Sequence, residues 1–103
     1  MNIRDGLPDA RIADFEECLS QLPVLLDCLE EPVNDALLAN TLTAETLALT
    51  LLTFGGPDAA WHYLQKPSSR LAGNTPLRCI KESDASREVV IRDLFRIIEG
   101  YVF

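Results

Sequence analysis

Between Ile12 and Leu29 the large apolar residues fall at Ile12, Phe15, Leu19, Leu22, Leu26 and Leu29, in alternating steps of three and four. That period draws one apolar stripe along an α-helix. It does not suit a half-buried strand, whose side chains alternate at every second residue. Pro23 falls inside the stripe. Proline lacks a backbone donor and clashes with the preceding turn, so the pattern predicts a kink or two short helices, with Pro23 in the first turn of the second. Glu30-Glu31-Pro32 ends this element.

Further along, Val33, Leu37 and Leu38 suggest another short helix. Thr43 is the expected N-cap of a strongly apolar helix from about Ala44 to Phe54, with Glu45 favourably placed in its first turn and Gly55-Gly56 as its stop. Pro57 can open the next helix, which carries Ala60, Trp61 and Leu64 before Pro67 closes it. The stretch Ser68-Ser69-Arg70-Leu71-Ala72-Gly73-Asn74 is rich in turn formers and reads as a loop, with Leu71 packing inward. Thr75-Pro76 is a cap followed by proline at the first helical position, and Leu77 and Ile80 then face the core. Asp84 is the candidate cap of a last helix in which Val90, Leu94, Ile97 and Tyr101 form the stripe. Glu88 and Arg92 pair outside it, and Gly100 ends it. Val89-Val90-Ile91 alone passes for a strand. The expected fold is therefore all-α, about six short helices with no significant sheet.

A chain of 103 residues supports one real core. An apolar fraction of 48% and a charged fraction of 24% argue against disorder, and no apolar run approaches the roughly 18 residues a membrane span needs. The start, Met1 to Gly6, lacks a basic stretch followed by an apolar one, so no secretory signal is expected and the expected location is cytoplasmic. Charge divides the chain unevenly. Residues 1–44 hold two bases against nine acids, a net of −7, whereas residues 45–103 balance seven against seven. On this basis residues 1–42 form an acidic helical segment for dimerisation or support, and residues 43–103 a second unit.

Chemistry is sparse. Cys18, Cys28 and Cys79 match neither a metal knuckle nor a disulfide framework, and reduced, mostly buried thiols are expected. With His62 as the one histidine, neither a His-based metal cluster nor a His-dependent triad is expected. No nucleophile with a base and no phosphate loop is legible, so no catalytic, cofactor-binding or metal-binding residue is assigned and an enzyme is not expected.

The stretch Phe54-Gly55-Gly56-Pro57-Asp58-Ala59-Ala60-Trp61, then Pro67, then Leu71-Ala72-Gly73-Asn74-Thr75-Pro76-Leu77, and finally Leu94, Ile97 and Gly100, resembles the C-terminal toxin-binding domain of the Xre/MbcA/ParS antitoxin family. The resemblance covers somewhat more than half of the chain. It departs from the family where Ser68 follows Pro67, a place often held by Asn. The resemblance implies an antitoxin of a type II toxin-antitoxin system whose partner carries an RES domain. Such a toxin consumes NAD or transfers ADP-ribose from it, and is inhibited when the antitoxin covers its active-site entrance. Carried over, the toxin-binding residues are Gly100, Tyr101, Val102 and Phe103 with Ser69 and Arg70, and a homodimer within the toxin-antitoxin complex is expected. Two aromatics and a valine at the last three positions suit interface anchors, although Tyr101 and Phe103 equally suit this chain's own core. Arg70, in an exposed turn, suits partner or phosphate recognition as well as plain solvation. Trp61 reads as core, and Leu71, Gly73 and Pro76 as structural residues of the loop. His62 is given no role.

Many relatives place a DNA-binding helix-turn-helix ahead of this domain, so a DNA-binding autorepressor is the alternative function, with a free-standing protein-binding adaptor as another. Residues 36–47 faintly imitate such a motif. The helix that would read bases, residues 45–54, carries no Arg, Lys, Asn or Gln, and the acidic residues before it would repel a duplex. It is expected to be a core helix, and DNA binding by this chain alone is not expected.

Overall fold

The computed structural model describes residues 3–28 and 39–98. Every regular element among them is helical: α1 (Ile3–Gly6), α2 (Asp9–Ser20), α3 (Leu22–Cys28), α4 (Thr41–Phe54), α5 (Pro57–Gln65), the 3-10 turn η1 (Ser69–Leu71), α6 (Pro76–Glu82) and α7 (Asp84–Ile98). The all-α expectation holds, and Val89-Val90-Ile91 lies within α7. No described helix is long and apolar enough to cross a membrane. The short helix expected around Val33 to Leu38 lies outside the described residues.

The proline inside the first stripe splits it into two helices. The Gln21 amide still reaches the carbonyls of Glu17 and Cys18, at 3.2 and 3.1 Å, and Pro23 then sits in the first turn of α3, where its missing donor costs nothing. Phe15 of α2 is fully buried, as is Leu25 of α3.

At the centre lies α4, with nine of its residues from Thr43 to Leu52 buried. It packs against α2 on one side and α7 on another, and α5 folds back onto it and also meets α3. Threonines in such a helix would leave buried hydroxyls unpaired, but Thr46, Thr50 and Thr53 each donate to the carbonyl four residues earlier, at 2.6, 2.9 and 2.7 Å. The cap differs from expectation. Asn40, not Thr43, opens the helix, its Oδ1 accepting from the Leu42 amide at 2.9 Å. With the start displaced three residues upstream, Thr43 turns into the core. At the other end Gly55 adopts φ 78°, and its amide reaches the Leu51 carbonyl at 2.9 Å, a left-handed stop that favours glycine.

The break in charge near residue 43 is not a break in packing. Ile3, Leu7, Phe15, Leu22 and Leu25 belong to the same apolar cluster as Leu47, Leu64, Leu77, Ile80, Val90 and Leu94. Arg4 spans the divide, pairing with Glu16 of α2 and with the buried Glu45 of α4, and its guanidinium lies 5.2 Å from the centroid of the Phe15 ring. The hydrogen bond from Arg4, with a smaller contribution from its charge, holds the Glu16 carboxyl below its ordinary range.

The α6–α7 corner also revises one expectation. Ser83 is the cap of α7: its Oγ accepts from the Ser86 amide at 3.1 Å and its carbonyl from the Arg87 amide at 2.9 Å. Asp84 is the first helical residue, where its charge still favours the positive end of the helix dipole. Behind it Arg87, 3% exposed, donates from Nε to the Ile80 carbonyl at 3.0 Å and pairs with Asp84.

Candidate functional site

A concavity lined by charged, hydroxyl and aromatic side chains lies where α5, the loop after it and α7 meet. It is an open groove of about 410 Å³ lined by Phe54, Tyr63, Lys66, Pro67, Ser68, Ser69, Arg70, Pro76, Asp93 and Ile97. Local sequence builds its near wall. Pro67 ends α5, and the Ser68 backbone then closes a tight turn, its amide donating to the Asn74 carbonyl at 3.1 Å and its carbonyl accepting from Gly73 at 2.9 Å. The Ser68 hydroxyl accepts from the Arg70 amide at 3.3 Å and caps η1. Left-handed backbone at Ala72 (φ 56°) and Gly73 (φ 82°) turns the chain toward Thr75, whose hydroxyl accepts from the Arg78 amide at 3.2 Å and caps α6. Leu71, 5% exposed, pins the loop to the core, so Ser69 and Arg70 beside it face outward.

The far wall is polar and buried. Asp93 of α7 is 5% exposed, yet both of its carboxylate oxygens are engaged. Oδ2 accepts from the Tyr63 hydroxyl at 2.8 Å and Oδ1 from Arg70 Nη1 at 3.0 Å. Burial first, and then the bond to the Asp93 carboxylate, push the Tyr63 phenol far above the ordinary tyrosine range. It is thus a fixed neutral donor. The Tyr63 ring also leans on Phe54, with centroids 4.8 Å apart and planes at 33°. The Arg70 side chain remains 52% exposed although its charge is anchored, so its guanidinium is held at the groove and still open to solvent.

Of the residues expected to contact a partner, Ser69 and Arg70 lie together in this groove, and Pro76, expected to be structural, forms part of its wall. Gly100, Tyr101, Val102 and Phe103 lie outside the described residues. Trp61 is half-buried and is not a member of the core, which α5 fills instead with Ala60 and Leu64. The helical period explains the difference: Ala60 and Leu64, four apart, define the inward face, and Trp61 is rotated about 100° from Ala60. Its ring meets His62 edge-on at 4.7 Å, in a shallow depression shared with Gln65, Lys66 and Pro67.

Tyr63, Lys66 and Asp93 were not singled out by sequence reasoning. Asp93 stands three residues after Val90 and next to Leu94, inside the arc that faces the protein, and a carboxylate there signals a buried pair. Its partners lie 30 and 23 residues away, beyond the reach of any local pattern.

Elsewhere Cys18 is half-buried and Cys79 buried; both are free thiols raised by burial, which lowers their thiolate fraction at neutral pH. Among the described residues no three His, Cys, Asp or Glu side chains gather as a metal site would require. No family model matches the chain, and no curated protein or solved structure matches it either.

Proposed function

We propose that this protein is an antitoxin that binds an RES-domain toxin acting on NAD and blocks its active site by direct contact, without catalysing a reaction itself. The observation that carries the reading is the placement of Arg70 and Ser69 in one groove with Ile97, in the last turn of α7. The chain continues from that helix into Gly100 to Phe103, the other residues expected to meet the toxin. An anchored arginine beside exposed apolar wall is the composition of an interface hot spot.

The burial of α4 favours this reading over a DNA-binding one. The helix that would enter a groove of the duplex is enclosed by α2, α5 and α7, so none of its central residues can reach a base edge. Cytoplasmic location and a homodimeric arrangement belong to the same proposal. The experiment is co-purification with the product of the adjacent reading frame, followed by NAD consumption. Stable association and loss of NAD turnover are expected, and turnover that persists in excess antitoxin refutes the reading. Deletion of Tyr101 to Phe103 should abolish inhibition while leaving the helical circular dichroism signal intact. Full inhibition by the truncated protein refutes the C-terminal contribution.

A further inference from the structure

Apart from any protein partner, the groove carries the features of a small-molecule oxyanion site. Its charge comes from Lys66, Arg70 and Asp93, a formal net of one positive charge in a chain of net −7. Arg70 is spent on Asp93 through Nη1 alone, and a guanidinium carries five N–H donors in a rigid fork, so donor capacity remains for an incoming anion. Asp93 is nearly inaccessible and is fixed from its other side by Tyr63, so the arginine is held in place before any ligand arrives. That lowers the side-chain entropy lost on binding. Lys66 and Ser69, both exposed, also line the groove and bring an ammonium and a hydroxyl to it.

The remaining wall is apolar: the Phe54 and Tyr63 rings, tilted 33° to one another, with Pro67, Pro76 and Ile97. A volume of about 410 Å³ falls within the range of small-ligand sites. Three donor-bearing side chains on one groove suit a phosphate, which offers three acceptor oxygens, better than a planar carboxylate, which offers two. Apolar and aromatic surface beside the donors suits a ring carried on that phosphate.

We propose that the groove between α5, η1 and α7 binds a nucleoside monophosphate, with the phosphate on Arg70, Lys66 and Ser69 and the base against Phe54, Pro67 and Pro76. The site overlaps the surface assigned to the toxin, but its test involves no toxin. Isotope-labelled protein is titrated with AMP while backbone amide resonances are followed. Saturable shifts are expected at Lys66 to Leu71 and around Asp93, displaced by inorganic phosphate at higher concentration. Adenosine and benzoate are expected to bind at least tenfold more weakly than AMP, as the loss of one charge-assisted contact implies. Lys66→Ala, at an exposed position, should weaken AMP by a similar factor without altering the fold. Arg70→Ala is made together with Asp93→Asn, so that no buried carboxylate is left unpaired, and should weaken it further. Absence of saturable shifts in this segment overturns the proposal. So does adenosine or benzoate binding as tightly as AMP, or AMP binding unchanged by Lys66→Ala and by the double variant.

Discussion

Arg70, in a one-turn 3-10 element on the surface, and Asp93, in the middle of the last helix, form an ion pair with Nη1 and Oδ1 3.0 Å apart, although 23 residues separate them in the chain. The carboxylate side of the pair is buried and the guanidinium side is open, and the Tyr63 hydroxyl occupies the other carboxylate oxygen. The two partners therefore have unequal roles. Asp93 depends on Arg70 for charge compensation, whereas Arg70 depends on Asp93 only for position.

This asymmetry sets the outcome of a double-mutant cycle. Arg70→Ala strips a buried carboxylate of its cation and should cost about 1–3 kcal/mol. Asp93→Asn keeps an acceptor for Tyr63 and should cost about 1 kcal/mol. Combined, they should be less destabilising than the sum of the single changes, with a coupling of about 1 kcal/mol in urea unfolding. Strict additivity would show that the pair does not interact in solution.

Tyr63 supplies a pH dependence. Its folded pKa is raised above the ordinary value of about 10, so the unfolded state loses the phenolic proton first as pH rises. The stabilisation is complete below about pH 10 and is lost progressively above it. Wild-type protein should show a steeper fall in urea midpoint between about pH 10 and 11.5 than Tyr63→Phe, which has no such proton to lose. Parallel profiles would exclude Tyr63 as the titrating group.

At the α6–α7 corner the two partners of one ion pair should differ sharply. Arg87→Ala removes a buried donor to the Ile80 carbonyl together with its packed stem, and should cost about 2–4 kcal/mol. Asp84, whose side chain is 81% exposed, should tolerate alanine within about 0.5 kcal/mol. Comparable losses from both changes would mean that the ion pair, not the carbonyl bond, holds the corner.

Thr43 offers a stabilising change. It is fully buried, and its Oγ1 has no hydrogen-bond partner among the described residues. Thr43→Val replaces the hydroxyl with a methyl of similar size and should raise stability by about 1 kcal/mol, read as an increase in Tm of several degrees. A decrease would reveal a partner for the hydroxyl in solution.

Gly55 closes the core helix at φ 78°, with open space where a Cβ would stand. Gly55→Ala should therefore cost about 1 kcal/mol from backbone strain alone. The cost should be the same whether or not neighbouring side chains are truncated, because no contact contributes to it.

Sequence by itself determined what acts within one or two turns of chain. The split at Pro23, the stop at Gly55 and the Thr75-Pro76 start express backbone preferences of nearby residues and stand where the pattern placed them, whereas the three-four stripe from Ile12 holds only as far as Leu22: past Pro23 the fully buried residue is Leu25, and Leu26 is partly buried. Local reading failed where several local solutions compete: Asn40 and Thr43, or Ser83 and Asp84, are all competent caps, and only the burial of Thr43 and the geometry of the α6–α7 corner choose between them. The groove was half legible, since a polar loop exposes Ser69 and Arg70 whatever surrounds it. Tertiary structure alone decided the rest. It joined the acidic segment to the core through Arg4, left Trp61 half-buried outside the core cluster, and brought Tyr63, Arg70 and Asp93 together. Hydropathy reads a charged side chain as solvated, so a buried Asp93 becomes intelligible only when packing of distant helices supplies its donors at hydrogen-bond distance.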